Sequence, residues 1–557
     1  MKKITPILLF VVLSLQGYSQ QSQNLFEISK NLDIFAELYK QLDINYVEGI
    51  KPGEMMKTGI NAMLATLDPY TNYIPESEIE DYKFMTTGQY GGIGALVQQR
   101  GDYIIVAEPY KGYNADKAGL IAGDKIIEIN GFSTKGKSLD DVSTYLRGQP
   151  GTAMNLTIQR ENDAPFKITI NREVIQIENI PFYGMLDDQT GYIKLNGFTQ
   201  NAEKEVRDAL MKLRENKNMQ GLVFDLRGNG GGLLNEAVGI ANLFIEKDQL
   251  IVSTKGRLPS SNNSYKTMNV PLDPKLKLVF LVDKNSASAS EILAGSMQDL
   301  DRAVILGQRS YGKGLVQNVL PLTYNSSVKV TVAKYYIPSG RCIQAIDYSH
   351  KDAEGNFGKV PDSLITAFKT KNGRIVFDGG GIVPDVMMPP AKHSSLAYNL
   401  LSRYFIFDFA TQFKKQNAVV SPPKEFKITD ELYSAFVTFL KDKKYDDYTN
   451  PAEKDLADLK NSAEKEKSFA AIQPEFDALQ SKIRQNKTLE IQTNKPEISE
   501  LLRDEIVTRY YYQKGRIEAS LASDPEIIRA REVMADTNLY NGILSGAVKL
   551  PEPEPIK

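Results

Sequence analysis

Two stretches of this chain, residues 221–226 and 276–283, are largely apolar, and each runs straight into a turn of small residues and then a helical segment. A strand apolar on successive positions belongs to a sheet that is buried on both faces. That requirement makes the middle of the chain, from about 184 to 390, a mixed α/β region. It cannot be the whole protein: at roughly 150 residues per domain, a chain of this size calls for about three or four domains, and 557 residues are present.

The flanking textures differ from that centre. Between 25 and about 67, apolar residues recur at helical spacing (Leu32, Phe35, Leu38, Tyr39, Leu42, then Met56, Ile60, Met63, Leu64 and Leu67 after the Pro52-Gly53 break), which predicts two or three helices. Asp68-Pro69-Tyr70-Thr71 closes them with turn chemistry. From 88 to 172 short alternating runs predict strands around 103–107, 125–129, 154–160 and 167–172. One helix interrupts them, opened by a capping-box pattern at Ser138 and Asp141 and ending at Leu146. Beyond His393 the chain is Lys/Glu-rich and helical, with Ile498, Leu502 and Ile506 one turn apart and Phe476, Leu479 and Ile483 similarly spaced. No fixed-period repeat is present.

The first twenty residues read as a secretory signal peptide: a positive start at Met1-Lys2-Lys3, an apolar run over 7–15, and Gly17-Tyr18-Ser19. The run is short of the roughly 20 residues of a membrane span. Cleavage is expected near Ser19 or Gln20, with a retained N-terminal anchor as the alternative, and no cysteine follows to make a lipoprotein. Export to the periplasm or cell envelope, or secretion, is the expected localisation, with no integral span after the signal is removed. Lys+Arg 67 against Asp+Glu 69 gives no nucleic-acid signal. One cysteine, Cys342, and two histidines, His350 and His393, exclude disulfide frameworks and Cys/His zinc sites. A Ser-His-Asp hydrolase would have to use one of those two histidines.

Two places could carry chemistry. After the first apolar strand comes Asp225-Leu226-Arg227-Gly228-Asn229-Gly230-Gly231-Gly232, where backbone amides could face an anion; a plain tight turn is the alternative. It is neither a Walker loop nor a dinucleotide fingerprint. After the second comes Asn285-Ser286-Ala287-Ser288-Ala289-Ser290-Glu291, where a serine could sit at a strand-to-helix turn like a nucleophile elbow. Three serines in five residues leave the choice open, since one of them could simply cap the helix, with Ser286 or Ser290 the candidates for that role. With histidine scarce, a lysine desolvated toward neutrality is the available base. Lys313, between Gly312 and Gly314 and four residues before Gln317, is the candidate, against the plain reading of a surface lysine in a glycine turn.

Taken together, these residues resemble the carboxyl-terminal processing peptidases, also called tail-specific proteases. That family carries a Ser-Ala-Ser-Ala-Ser-Glu run and a Gly-Lys-Gly-x-Val-Gln block with the lysine 25 residues after the middle serine, a spacing kept by Ser288 and Lys313. The resemblance implies Ser288 as nucleophile, Lys313 as general base and Gln317 as the residue that positions it. The family's Asp-x-Arg-x-Asn-x-Gly-Gly element matches 225–232 and implies an oxyanion hole from the amides of Gly231 and Ala289. Asp68-Pro69-Tyr70-Thr71 looks like another family element, with Tyr70 where histidine is common, and 379–385 looks like its terminal core element. The strand-rich insert resembles a PDZ domain through Ala115-Asp116-Lys117-Ala118-Gly119-Leu120, Gly123-Asp124, Ile129-Asn130-Gly131 and Leu146-Arg147-Gly148. Its carboxylate-binding loop would be Gly91, Gly92, Ile93 and Gly94, or else an ordinary glycine turn.

The expected organisation is an α/β multidomain protein. It comprises a signal peptide (1–20), N-terminal helices (21–86), an inserted PDZ domain (87–175), a mixed α/β peptidase core (176–392), a C-terminal helical region (393–550) and a tail (551–557). For the helical region two readings stay open: plain packing with a solvated face, or a dimerising or substrate-enclosing element as in larger members, so a homo-oligomer is among the partners considered. The expected activity is an exported serine endopeptidase with a Ser/Lys dyad and an acyl-enzyme intermediate. It acts on proteins or peptides with free C-termini and uses no metal or other cofactor. The rival is a non-catalytic PDZ-containing scaffold on the same fold.

Overall fold

The computed structural model describes residues 5–352, 354–390 and 392–548; the positive start of the expected signal peptide and the 551–557 tail lie outside the described residues. No helix among the described residues is long and apolar enough to cross a membrane. The chain divides into two compact units, Met1–Glu76 with Gln317–Thr331, and the remainder.

In the first unit, helices Thr5–Asn45 and Pro52–Leu64 are followed by the turn at Asp68. Asp68 Oδ1 accepts the N–H groups of Tyr70 and Thr71 at 2.8 and 2.9 Å, so the turn is built on the side chain predicted to build it. The short strand Asn72–Ile74 that leaves it pairs antiparallel with 327–329.

The second unit holds the PDZ domain, the peptidase core and the C-terminal helices. In the PDZ domain, strands Ala95–Arg100, Tyr103–Pro109, Lys125–Ile129, Ala153–Gln159 and Phe166–Asn171 form one antiparallel sheet. Asn130 and Gly131 both take positive φ, 51° and 86°, the mirror-image turn that joins twisted strands tightly. The helix Leu139–Leu146 opens with the anticipated box: Ser138 Oγ accepts the Asp141 N–H, and the Asp141 carboxylate accepts the Ser138 N–H. Its Val142 and Leu146 pack into a core with Ile104, Ile126, Met154 and Ile158.

The peptidase core is a six-stranded sheet in the order Phe182–Met185, Thr190–Lys194, Gly221–Asp225, Lys277–Val282, Val304–Gly307, Val386–Met387, parallel from the second strand onward. Alternation sorts its side chains. Leu222, Phe224, Leu278, Phe280 and Ile305 bury against helices Ala202–Leu213, Leu234–Asn242 and Ala289–Asp299. Val223, Val279, Leu281, Val304 and Leu306 point the other way and bury against Ile527, Val533, Tyr540 and Ile543. Those four belong to helices Pro525–Ala535 and Thr537–Ser545, the last two among the described residues. The strands are buried on both faces as expected, and the second cover comes from helices within the 393–550 region.

The remaining C-terminal helices have their own core, with Phe409, Phe436, Ile498, Leu502 and Ile506 inside. The Phe476 stripe is narrower than expected: Phe476 is buried, but Leu479 is 48% exposed. The helix that carries both, Phe469–Thr493, packs mainly on its neighbour Pro451–Lys465, which covers one side of it.

Candidate active site

Three serines follow the strand Lys277–Val282, and the structure separates them. Ser286 Oγ donates to the Leu226 carbonyl and accepts the Asp283 N–H, both at 2.9 Å, and is fully buried. Ser290 Oγ donates to the Asn229 carbonyl at 2.8 Å and is equally buried. Both therefore lash the serine turn to the glycine-rich loop. Ser288, half-buried between them, has φ 56° and ψ −113°, a backbone conformation that a non-glycine residue holds only where its surroundings impose it.

What imposes it is a buried carboxylate. Glu291, in the first turn of helix Ala289–Asp299, accepts the Ser288 N–H at 2.8 Å and the Lys313 N–H at 2.9 Å, both on Oε2. Its other oxygen takes the Gly312 N–H at 2.6 Å and the Ser310 hydroxyl at 2.5 Å. Burial pushes its pKa up to about 7, against the pull of these four donors. Tyr335, also buried, donates its hydroxyl to the Ser288 carbonyl at 3.3 Å. Sequence reasoning assigned no role to either residue. The Ser-x-x-Glu spacing of a capping box, present at Ser288 and Glu291, was the available signal for Glu291; Tyr335 had none.

Lys313 is half-buried in a loop that tolerates only glycine on either side. A Cβ at Gly312 would stand 2.5 Å from Ala345 Cβ, and one at Gly314 would stand 2.9 Å from the Gln344 nitrogen. The Gly314 N–H is fixed by Gln344 Oε1 at 2.7 Å. Gln317 lies in the other unit, where its side-chain amide donates to Thr331 Oγ1 at 3.2 Å.

The glycine-rich loop meets the serine turn closely. A Cβ at Gly231, where φ is +101°, would come within 2.9 Å of both Ser288 Cβ and the Ala289 nitrogen, so a side chain there would displace the serine. Of the two expected oxyanion donors, Ala289 is the first residue of its helix and has no intrahelical acceptor for its N–H. The Gly231 N–H is instead given to Asn229 Oδ1 at 2.9 Å, so in this arrangement it is not presented to a ligand. The helix behind Ala289 adds the partial positive charge of its N-terminal end.

The root of the loop is anchored by charge. Asp225 is buried, which opposes its ionisation, yet Arg227 and Lys194 hold its carboxyl well below the usual range. Arg227 also reaches Asp524 and Glu526, each at 2.8 Å, at the start of helix Pro525–Ala535. The histidines are engaged elsewhere: His350 is 85% exposed beside Asp347, and His393 pairs with Glu497.

In the PDZ domain the four expected loop residues divide. Gly91 and Gly92 end the strand Gln89–Gly92, which pairs with Glu173–Gln176. Ile93 and Gly94 make the turn into Ala95–Arg100. Their carbonyls accept the N–H groups of Ala115 and Tyr110, while their own N–H groups take part in neither ladder. A Cβ at Gly91 would meet the Gly148 oxygen at 2.0 Å, and one at Gly94 would meet Tyr113 Cβ at 2.3 Å. Beside this turn, between Ala95–Arg100 and the helix Leu139–Leu146, runs a groove of about 690 Å³ lined by Tyr90, Ile93, Val97, Tyr110, Leu146 and Arg147.

Comparison with known proteins gives three regional matches: peptidase family S41 over residues 189–350, a PDZ domain over 105–160, and the C-terminal helical domain of a probable PDZ-protease over 396–534. The carboxy-terminal-processing protease of Bartonella bacilliformis is 34% identical over 321 residues, 57% of this chain and 73% of that one. A probable CtpA-like serine protease of Staphylococcus aureus is 32% identical over 350 residues, 61% and 69% of the two chains. Among solved structures, the photosystem II D1 C-terminal processing protease is similar at 26% identity, over 64% of this chain and 92% of that one, with a TM-score of 0.35.

Proposed function

Because the chain belongs to the carboxy-terminal-processing serine proteases of peptidase family S41, we propose that it cleaves proteins selected by their C-terminal tails, using Ser288 as nucleophile and Lys313 as base. The observation that carries the choice of serine is the separation just described: Ser286 and Ser290 are spent on backbone carbonyls, whereas Ser288 stands on a strained turn at a helix N-terminus.

The chemistry is acyl transfer in two halves. Neutral Lys313 takes the Ser288 Oγ proton as Oγ bonds to the scissile carbonyl carbon, and the carbonyl electron pair moves onto oxygen. The Ala289 N–H and the end of its helix stabilise that oxyanion, with Gly231 joining once its N–H leaves Asn229. Collapse breaks the C–N bond, and the departing amine takes the proton from the Lys313 ammonium. Water, deprotonated by Lys313, then attacks the ester, and Ser288 recovers its proton on release of the acid.

Selection is assigned to the PDZ groove, where the Ile93 and Gly94 amides receive the terminal carboxylate and the peptide adds beside Ala95–Arg100. Export is part of the same proposal, supported by the charged and apolar start of the chain. The test is to incubate the wild type and Ser288→Ala with an extracted envelope proteome and sequence the new termini. Cleavages present only with the wild type are expected; identical termini from both would sink the assignment.

A further inference from the structure

A second cleft, of about 890 Å³, lies between the PDZ domain and the C-terminal helices and shares no lining residue with the peptide groove. Its walls are fastened to each other. Arg100 of the PDZ domain gives Asp408 two hydrogen bonds of 2.7 Å, Tyr404 donates its hydroxyl to the Gln99 carbonyl at 2.9 Å, and Lys415 pairs with Glu161 at 2.8 Å. The volume falls in the range of sites that hold small organic ligands, about 300–1,000 Å³.

The charge in the cleft does not balance. Five basic side chains line it against three acidic ones, in a chain whose own net charge is −2. Each acid is already taken: Asp408 by Arg100, Glu161 by Lys415, and Asp124 by Arg160, which grips it with bonds of 2.7 and 2.8 Å. What remains is Lys125 from the PDZ wall and Lys443 from the helical wall. Both are half-buried, and neither has a carboxylate within ion-pair distance among the described residues. Each lies instead over an aromatic face, Lys125 at 5.1 Å from the centre of the Tyr103 ring and Lys443 at 4.3 Å from that of Phe439. Lys125 also reaches Gln159 Oε1 at 3.4 Å. A ring face holds an ammonium group in place without neutralising it. Two positive charges partly withdrawn from water therefore line one cavity with no acid left to meet them, an arrangement that stays unfavourable until an anion enters.

We infer that this cleft binds a phosphate monoester, its phosphate held between Lys125 and Lys443. Such a group carries about −1.5 to −2 at neutral pH, which matches the surplus of two, whereas a carboxylate would leave one lysine uncompensated. Ammonium groups bind phosphate as point charges and need no fixed fork. The side-chain amides of Asn162, Gln412 and Gln416 line the same cleft as donors for the remaining oxygens, and Ile121 and Phe407 offer the body of the ester an apolar surface. The ester group is the same whether it belongs to a soluble molecule or to a lipid headgroup. A ligand seated there touches both the PDZ domain and the C-terminal helices.

The test is isothermal titration of the full chain with phenyl phosphate at low salt. Saturable binding is expected, weakened at least about tenfold in Lys125→Gln/Lys443→Gln by the loss of charge-assisted contacts, and weakened in the wild type by added salt. Lysine acetylation read by mass spectrometry locates the site without a variant: phenyl phosphate should slow modification of Lys125 and Lys443 and leave the exposed Lys204 unchanged. Vesicles of phosphatidic acid in phosphatidylcholine distinguish the two sources. Flotation of the wild type, lost in the double variant, assigns the phosphate to a lipid headgroup; phenyl phosphate binding without flotation assigns it to a soluble ester. No saturable binding at millimolar phenyl phosphate, undiminished binding by the folded double variant, or protection spread evenly over all lysines would each overturn the inference.

Discussion

Ser288 and Lys313, 25 residues apart in the chain, donate their backbone N–H groups to the same oxygen, Glu291 Oε2, at 2.8 and 2.9 Å. One carboxylate therefore sets the position of the proposed nucleophile's turn and of the proposed base's loop together, and that dyad does not depend on two independently folded segments meeting by chance. Because this carboxylate holds backbone N–H groups and the Ser310 hydroxyl, its part in the proposed site is to position.

The serine register can be read by covalent labelling. A serine-reactive phosphonate should modify the wild type, Ser286→Ala and Ser290→Ala, and leave Ser288→Ala unlabelled. The Ser286 and Ser290 variants should instead lose stability, about 1–3 kcal/mol each, because the buried backbone groups they satisfy are left unpaired. A labelled peptide mapping to Ser286 or Ser290 would show the register to be wrong.

Lysine as base makes a distinct prediction from histidine as base. Lys313→Ala and Lys313→Arg should both abolish turnover in folded protein, the arginine because it stays charged. The double variant His350→Ala/His393→Ala should turn over normally, since both rings face carboxylates elsewhere. Loss of activity in the folded double variant, with Lys313→Ala still active, would refute the dyad.

Glu291 should be visible in stability as a function of pH. Its folded pKa, pushed up by burial to about 7, stands above the unfolded value of about 4.3. Between those values the folded state keeps a proton that the unfolded chain has released. The stability linked to this group is thus full below about pH 4.3 and is lost as pH rises through 7, by about 4 kcal/mol. Glu291→Gln should remove that dependence, which urea midpoints at pH 5 and pH 8 would measure, and should lower kcat with little change in KM. An unchanged wild-type-to-variant difference at the two pH values would count against it.

Carboxylate reading by the PDZ groove predicts that one apolar-ended peptide binds Ser288→Ala as the free acid and poorly as the amide. A lost charge-assisted hydrogen bond corresponds to about 1.5–3 kcal/mol, or roughly 10- to 150-fold in Kd. Equal affinities would leave Ile93 and Gly94 as an ordinary turn.

The last two helices should be indispensable to the core. A chain ending at Ser520 exposes Val223, Val279, Leu281, Val304 and Leu306, at about 1.5–3 kcal/mol each, together comparable to the whole stability margin of a domain, about 5–15 kcal/mol. It should be recovered only as aggregate. A soluble, active truncated protein would mean that the second layer is dispensable.

Local pattern carried much of this molecule. Alternation and capping residues announced the PDZ strands and the helix from Leu139, side-chain turn chemistry announced the bend at Asp68, and unbroken apolar runs announced strands with cover on both sides. Each depends on neighbours a few residues apart, which is why it can be read along a line. The choice among Ser286, Ser288 and Ser290 could not be, because all three suit the same turn. The proposed choice of Ser288 rests on the carbonyls of Leu226 and Asn229, some sixty residues earlier, which claim the other two hydroxyls. The Gly231 amide was expected to face a ligand and is turned to Asn229 by a loop geometry that composition does not encode. The second layer of the core sheet comes from the far end of the chain, because an apolar strand face specifies only that it be covered. Which helix covers it is settled by long-range packing and by Arg227 meeting Asp524 and Glu526.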